Sequence, residues 1–278
     1  MTDPETDVAP VSRAGRNLPA AIGVGLSLGG LILGTVWSPW RWLFVGVILL
    51  ASAVGTIEIV QALRTLDARP ALAPLLLGGS AMIVVAYRDG PTDLFLAFAV
   101  TVLACLVWRI GEPGLGAFRD LSASVLTAAY VPFLLGFAAL ITAAPNGPAR
   151  ITACVATIVC SDTGGYLAGV LFGKHPMAPS VSPKKSWEGF AGSTVFCVVA
   201  GVLFFWLLLD TTPWLGILFG LAVVCSATLG DLGESMIKRD IGIKDMGNLL
   251  PGHGGLMDRL DSILPTVAVS YVLFSVLL

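Results

Sequence analysis

Two short stretches of this chain carry residues whose types and spacing could do chemistry. Asp231, Glu234 and Ser235 stand at i, i+3 and i+4, and the same spacing recurs in Asp258, Asp261 and Ser262. Helical residues so spaced share one face, so each stretch is expected to present two carboxylates and a hydroxyl together. Brought face to face, the two make an oxygen-rich, strongly negative pocket. Such donors suit Mg²⁺, which takes one or two carboxylates and completes its shell with substrate phosphates and waters. A fifth acid, Asp162, lies deeper, in the run Cys160-Ser161-Asp162-Thr163-Gly164-Gly165-Tyr166. A charge inside a bilayer costs about 2.5–3.5 kcal/mol on insertion scales and marks a functional residue by default. Asp162 is therefore expected to face the same pocket as Asp231 and Asp258, as a ligand or within one water of the ion. The competing reading is a neutral Asp162 that bonds to a neighbouring helix. For the other acids the duller alternative is simple pairing with Lys238, Arg239 and Arg259. Glu58, one turn before Gln61 in an earlier apolar run, carries no assignment.

The complementary charge sits between and beside these acids. Lys238, Arg239 and Lys244 precede Leu250-Pro251-Gly252-His253-Gly254-Gly255, and Arg259 follows. Glycines let backbone N–H groups approach phosphate oxygens, and the cations neutralise them. An earlier segment, Ser182-Pro183-Lys184-Lys185-Ser186-Trp187-Glu188-Gly189, repeats the theme. Lys184, Lys185, Lys238, Arg239 and Arg259 are thus candidates for phosphate groups, with Ser182, Ser235, Lys244, Gly254 and Gly255 as further substrate contacts. His253 is a candidate general base, or a donor to a phosphate or a loop carbonyl. A basic loop that merely grips anionic headgroups is the alternative.

The elements that must position these residues are membrane helices. Of 278 residues, 56% are hydrophobic and 12% charged, against about 25% charged in a soluble domain. The apolar residues form runs near the roughly 20 residues that a spanning helix needs. The pattern predicts an all-α polytopic protein with about nine spans: 18–37, 41–63, 71–87, 92–108, 120–144, 150–172, 188–209, 213–236 and 258–278. It divides into a polar tail (1–16), an N-terminal helical part (17–149) and a catalytic part (150–278) with long loops at 173–187 and 237–257. With the amino terminus in the cytoplasm, thirteen Lys and Arg fall inside and only Arg41, Arg88 and Arg150 outside. That asymmetry satisfies the positive-inside rule, and it puts both long loops, and the site they carry, in the cytoplasm. The five cysteines lie in apolar runs without a CxxC pair, so neither disulfides nor a zinc site is expected. A net charge of −2 gives no basic field for nucleic acid.

The run 235–261 goes from Ser235 through Lys238-Arg239, Lys244-Asp245, Gly247, Leu250-Pro251 and His253-Gly254-Gly255 to Asp258-Arg259 and Asp261. It resembles, over all 27 positions, the signature of the phosphatidate cytidylyltransferases. The Ser161–Tyr166 run, the Phe172-Gly173-Lys174-His175 step and the Ser182–Gly189 segment are similar to that family too. Together the likeness covers roughly 150–265, while the first half matches only as a set of membrane helices. The resemblance implies a multi-pass, dimeric enzyme of the cell membrane that joins CTP to phosphatidic acid, making CDP-diacylglycerol and pyrophosphate with a divalent metal. It puts the metal on Asp231 and Asp258; the charge pattern adds Asp162 and Asp261 as ligands or behind them, and a second cation stays open. Two other classes stay in view: a CTP-dependent lipid-alcohol kinase, and a secondary transporter, against which the acids cluster at helix ends rather than at the midplane. A CDP-alcohol phosphotransferase would need an Asp-Gly-x-x-Ala-Arg motif, which the chain lacks.

Overall fold

The computed structural model describes residues 18–112, 114–247 and 254–278. The tail 1–16 and His253 lie outside them. The helices are α1 (Leu18–Val36), α2 (Trp42–Leu63), α3 (Leu72–Arg88), α4 (Pro91–Ile110), α5 (Ala117–Ala128), α6 (Leu134–Ala143), α7 (Gly147–Phe172), α8 (Trp187–Leu207), α9 (Pro213–Ile241), α10 (Met257–Leu260) and α11 (Ile263–Leu277). Strands β1 (Pro176–Ala178) and β2 (Ser182–Ser186) lie between α7 and α8. Each of the nine stretches read as spans is helical. Among the described residues seven segments are long and apolar enough to cross a membrane, while Gly25–Val36 and Leu72–Arg88 are apolar but shorter. The chain is an all-helical, polytopic membrane protein. In hydrocarbon only intra-segment hydrogen bonds satisfy the backbone, which is why every apolar run folds this way.

Three departures from the simple span pattern shape the site. The stretch read as one helix, 120–144, is α5 and α6 joined by a π-helical turn, Ala129–Phe133, that contains Pro132. A proline ring removes a donor and clashes with the preceding turn, and the wider π turn accommodates it. The segment 173–187, read as a loop, folds as an antiparallel hairpin with Pro176 opposite Ser186 and Ala178 opposite Ser182. Finally, the last span is broken: α10 has four residues, and Asp261 and Ser262 form a turn before α11.

Helices α7, α8 and α9 pack through glycines. A Cβ on Gly164 would meet Phe196 and the Gly192 backbone, and one on Gly201 the Gly216 backbone. Small residues let backbones close in where lipid supplies no hydrophobic drive between helices. Below this contact Phe205, Phe219 and Phe274 stack with centroids 5.1 to 6.2 Å apart.

Candidate active site

Helix α9 carries Asp231, Glu234, Ser235, Lys238 and Arg239 in its last three turns and stops at Gly242, whose φ of 77° is left-handed. Glycine takes that conformation without the Cβ penalty, and Lys238 and Arg239 complement the negative end of the helix dipole. The expected shared face exists: Ser235 Oγ donates to Asp231 Oδ1 at 3.4 Å. Its two acids nevertheless serve two different clusters.

The first cluster surrounds a cavity of about 250 Å³ between α7, the hairpin, α8 and α9, whose walls include Asp162, Asp231, Lys184, Lys185, Tyr166 and Phe190. Lys185, on β2, reaches over α9: its Nζ lies 2.6 Å from Asp231 Oδ2 and donates to the Thr228 carbonyl at 3.4 Å. Glu188 closes the base of the hairpin by accepting the N–H groups of Lys174 and His175 at 3.1 and 3.2 Å and meeting His175 Nδ1 at 2.6 Å. Arg239 Nε donates to the Val181 carbonyl at the hairpin turn, at 3.4 Å. Asp162 and Asp231 thus line one cavity. Asp162 opens into it and makes no hydrogen bond or ion pair with another described residue. It feels the charges of Asp261 and Asp231 on one side and of Lys185 and Arg259 on the other.

The second cluster is internal. Lys238 Nζ donates to Asp258 Oδ1 at 2.8 Å and stands 3.2 Å from Glu234 Oε1. That second contact is an ion pair without hydrogen-bond geometry, and the fully buried Glu234 oxygens accept no hydrogen bond from a described residue. Asp258 Oδ2 accepts the backbone N–H groups of Met246 and Gly255 at 3.0 and 2.8 Å. Asp258, expected beside Asp231 on one ion, does not line the cavity; it ties the loop to α9. The turn at Asp261 also separates it from the common helical face expected for Asp258 and Asp261. Asp261 Oδ1 accepts from Ser262 N and Oγ at 2.6 and 3.1 Å, and its charge acts on Asp231.

Glu58 explains how the loop is held from the other half of the chain. It is 5% exposed on α2, and its oxygens accept the N–H groups of Leu256 at 3.0 Å and Met257 at 2.7 Å. Gly247 and Gly255 pack so closely that a Cβ on either would collide with the Glu58 carboxylate. A lone acid in an apolar run was the only signal in the sequence, and nothing there named its partner. Of the remaining candidates, Ser182 opens β2 outside the cavity lining, and Lys244 and Arg259 are exposed. Gly254 has a φ of 80° and lies against Asp258 and Asp245. The Gly255 N–H is engaged by Asp258, so that group is not free for a phosphate.

Among the described residues no three acidic, histidine or cysteine side chains form a closed metal cage. A Mg²⁺ ion held by one or two carboxylates together with substrate phosphates needs none. An unpaired Asp162 beside Asp231 in a cavity lined by two lysines fits that open kind of site.

The Cytidylyltransferase family matches residues 19–277. The phosphatidate cytidylyltransferase of Mycobacterium leprae (strain TN) is 44% identical over 284 residues, covering 95% of this chain and 90% of that protein. Its namesake in Mycobacterium tuberculosis (strain ATCC 25618 / H37Rv) is 43% identical over 280 residues, with 96% and 85% covered. The chloroplastic phosphatidate cytidylyltransferase 5 of Arabidopsis thaliana is 29% identical over 288 residues, with 90% and 69% covered. The match reaches past the signature into the helices that hold Glu58, and with nearly the whole chain aligned, this protein belongs to the cytidylyltransferase family.

Proposed function

We propose that the chain transfers the cytidylyl group of CTP to phosphatidic acid, forming CDP-diacylglycerol and releasing pyrophosphate. The observation that carries this is one cavity bringing Asp162, Asp231, Lys184 and Lys185 together on a membrane helix bundle. A phosphate oxygen of phosphatidic acid attacks the α-phosphorus of CTP, the α–β bridging bond breaks, and its electron pair leaves with pyrophosphate. The attacking phosphate is already largely ionised near neutral pH, with a second pKa of about 6, so no strong general base is needed. Both reactants are anions, and catalysis is mainly positioning and charge neutralisation. Lys184 and Lys185 meet the phosphates; Asp231 holds Lys185 in place. Asp162 and Asp231 would hold Mg²⁺, which when bound neutralises phosphate charge. Asp258, Lys238 and Glu58 fix the loop that leads into α10, where Arg259 stands and its charge acts on Asp162. Nine spans with the amino terminus inside, both long loops in the cytoplasm, a cell-membrane location and a homodimer complete the reading, supported by the charge asymmetry and the family resemblance.

Purified protein given phosphatidic acid, Mg²⁺ and CTP labelled at the α-phosphate should put label into lipid. Label entering lipid only from γ-labelled CTP would assign a kinase instead, and none from either would return the transporter reading. Asp162→Asn, which keeps size but removes charge, is expected to lower this activity roughly tenfold or more, the scale seen when a metal's surroundings are disturbed. Expression should be unchanged, with partial recovery at high Mg²⁺. Near-normal activity would leave Asp162 a packing residue.

A further inference from the structure

A second charged recess lies away from the cavity, at the same end of the helix bundle. Arg64 follows α2 directly, six residues after Glu58, which is about 9 Å along a helix. Arg69 lies in the link to α3, Arg109 in the last turn of α4 and Arg119 in the first turn of α5, and all four border one cleft of about 1030 Å³. A buried carboxylate fixes its walls. Asp120, 3% exposed, accepts the Arg69 N–H at 2.9 Å and pairs with Arg109 Nε at 3.1 Å. Ser124 Oγ accepts the Ala71 N–H at 3.0 Å. Arg109 also donates to the Glu112 carbonyl at 2.7 Å, so its charge is committed to the wall.

The other arginines are not committed in this way. Arg64 and Arg69 are exposed, and their guanidinium groups make no hydrogen bond or ion pair with a described residue. Among the described residues Arg119 reaches only the already paired Asp120, at 3.7 Å. Asp67 and Glu112 are the other acids at the cleft, and Glu112 accepts from Trp108 Nε1 at 2.9 Å. Arginines that served only to orient the chain in the membrane would not need to converge on a braced recess. The apolar side carries the second observation: Leu115, which lines the cleft, is 100% exposed, and Ile110 and Phe118, each next in sequence to a cleft arginine, are 75% and 87% exposed. Cations over an exposed apolar rim match the two halves of a lipid, a phosphate at interface depth and acyl chains below it. A water-soluble nucleotide would have no use for the rim.

We propose that this cleft holds the headgroup phosphate of an anionic glycerophospholipid, with Arg64, Arg69 and Arg119 on the phosphate and Leu115 and Phe118 against the first part of the chains. Guanidinium groups bind phosphate through paired N–H donors. The site is separate from the transfer cavity, and its test involves no turnover.

The test is lipid retention by the purified protein in non-ionic detergent, counted by native mass spectrometry with dioleoyl-phosphatidylglycerol or dioleoyl-phosphatidylcholine as probe. Wild-type protein should retain the glycerol lipid over the choline lipid roughly tenfold or more, as expected for two or three arginines at a phosphate. Arg64→Gln/Arg69→Gln should remove that preference, and Arg88→Gln, at the far end of α3, should keep it. Retention unchanged in the double variant overturns the proposal, as does equal retention of the two lipids. Displacement by millimolar inorganic phosphate as readily as by lipid would make the cleft a free-anion site and overturn the lipid assignment. Should the double variant fail to fold, Arg64→Gln and Phe118→Ser probe the two halves singly, and each must lower retention for the proposal to stand.

Discussion

Asp258→Asn is expected to lower CDP-lipid formation by roughly a hundredfold or more while the protein still inserts in the membrane. The carboxylate receives Lys238 Nζ on one oxygen and the Met246 and Gly255 N–H groups on the other. An asparagine keeps one acceptor and turns an NH₂ group toward donors. At about 1.5–3 kcal/mol for each hydrogen bond to a charged group, losing two amounts to several kcal/mol, or two or more decades in rate. With the NH₂ turned to the two N–H groups, Lys238 keeps only a neutral acceptor there, and the loop loses both backbone bonds to residue 258. Initial rates with α-labelled CTP measure the loss. Limited proteolysis within 242–247 should quicken in the same variant, because the loop is what Asp258 holds. A variant with near-normal rate and unchanged cleavage would show that the tie does not matter.

Glu58→Ala carries the second large expectation, a loss of activity comparable to that of Asp258→Asn although Glu58 lies in the half of the chain that bears no signature. Removing the side chain strands the N–H groups of Leu256 and Met257, which it accepts at 3.0 and 2.7 Å. Each stranded buried donor costs about 1–3 kcal/mol. Glu58→Gln should fall between wild type and Ala, since it retains one acceptor and faces the other N–H with a donor. Gly255→Ala offers an independent check, because its Cβ would come within 2.6 Å of Glu58 Oε2 and 2.7 Å of the Gly247 nitrogen. Backbone cannot step aside cheaply, so this variant should resemble Glu58→Ala. Full activity in both would refute the anchoring role.

These two expectations differ from what spacing alone suggests for the same residues. The repeat of acids at i, i+3 and i+4 correctly gathers Asp231 and Ser235 on one face of α9. It does not show that Glu234 turns inward to Lys238 while Asp231 turns outward to Lys185, because one helical face is wide enough to serve two neighbours. Nor does the spacing reveal that the chain bends at Asp261, which gives Asp258 to the loop. The hairpin at 173–187 is hidden for a similar reason: its strands have three and five residues, only the second is polar, and Glu188 rather than any alternation of side chains closes its base.

The sequence by itself determined that this is a polytopic membrane protein of apolar helices and which family it joins. Those properties are local. A run of apolar residues must satisfy its own backbone in lipid, so it forms a helix whatever its neighbours do, and a signature is a string of adjacent residues. Only the tertiary structure decided the partners: Lys185 with Asp231, Lys238 with Asp258, and Glu58 with backbone groups 198 and 199 positions away. Hydrogen bonds act within a few ångströms and screened Coulomb attraction within about 10 Å, and both are blind to distance along the chain. Which charges meet therefore depends on how closely α7, α8 and α9 approach through their glycines, and on which side of the bundle α2 lies.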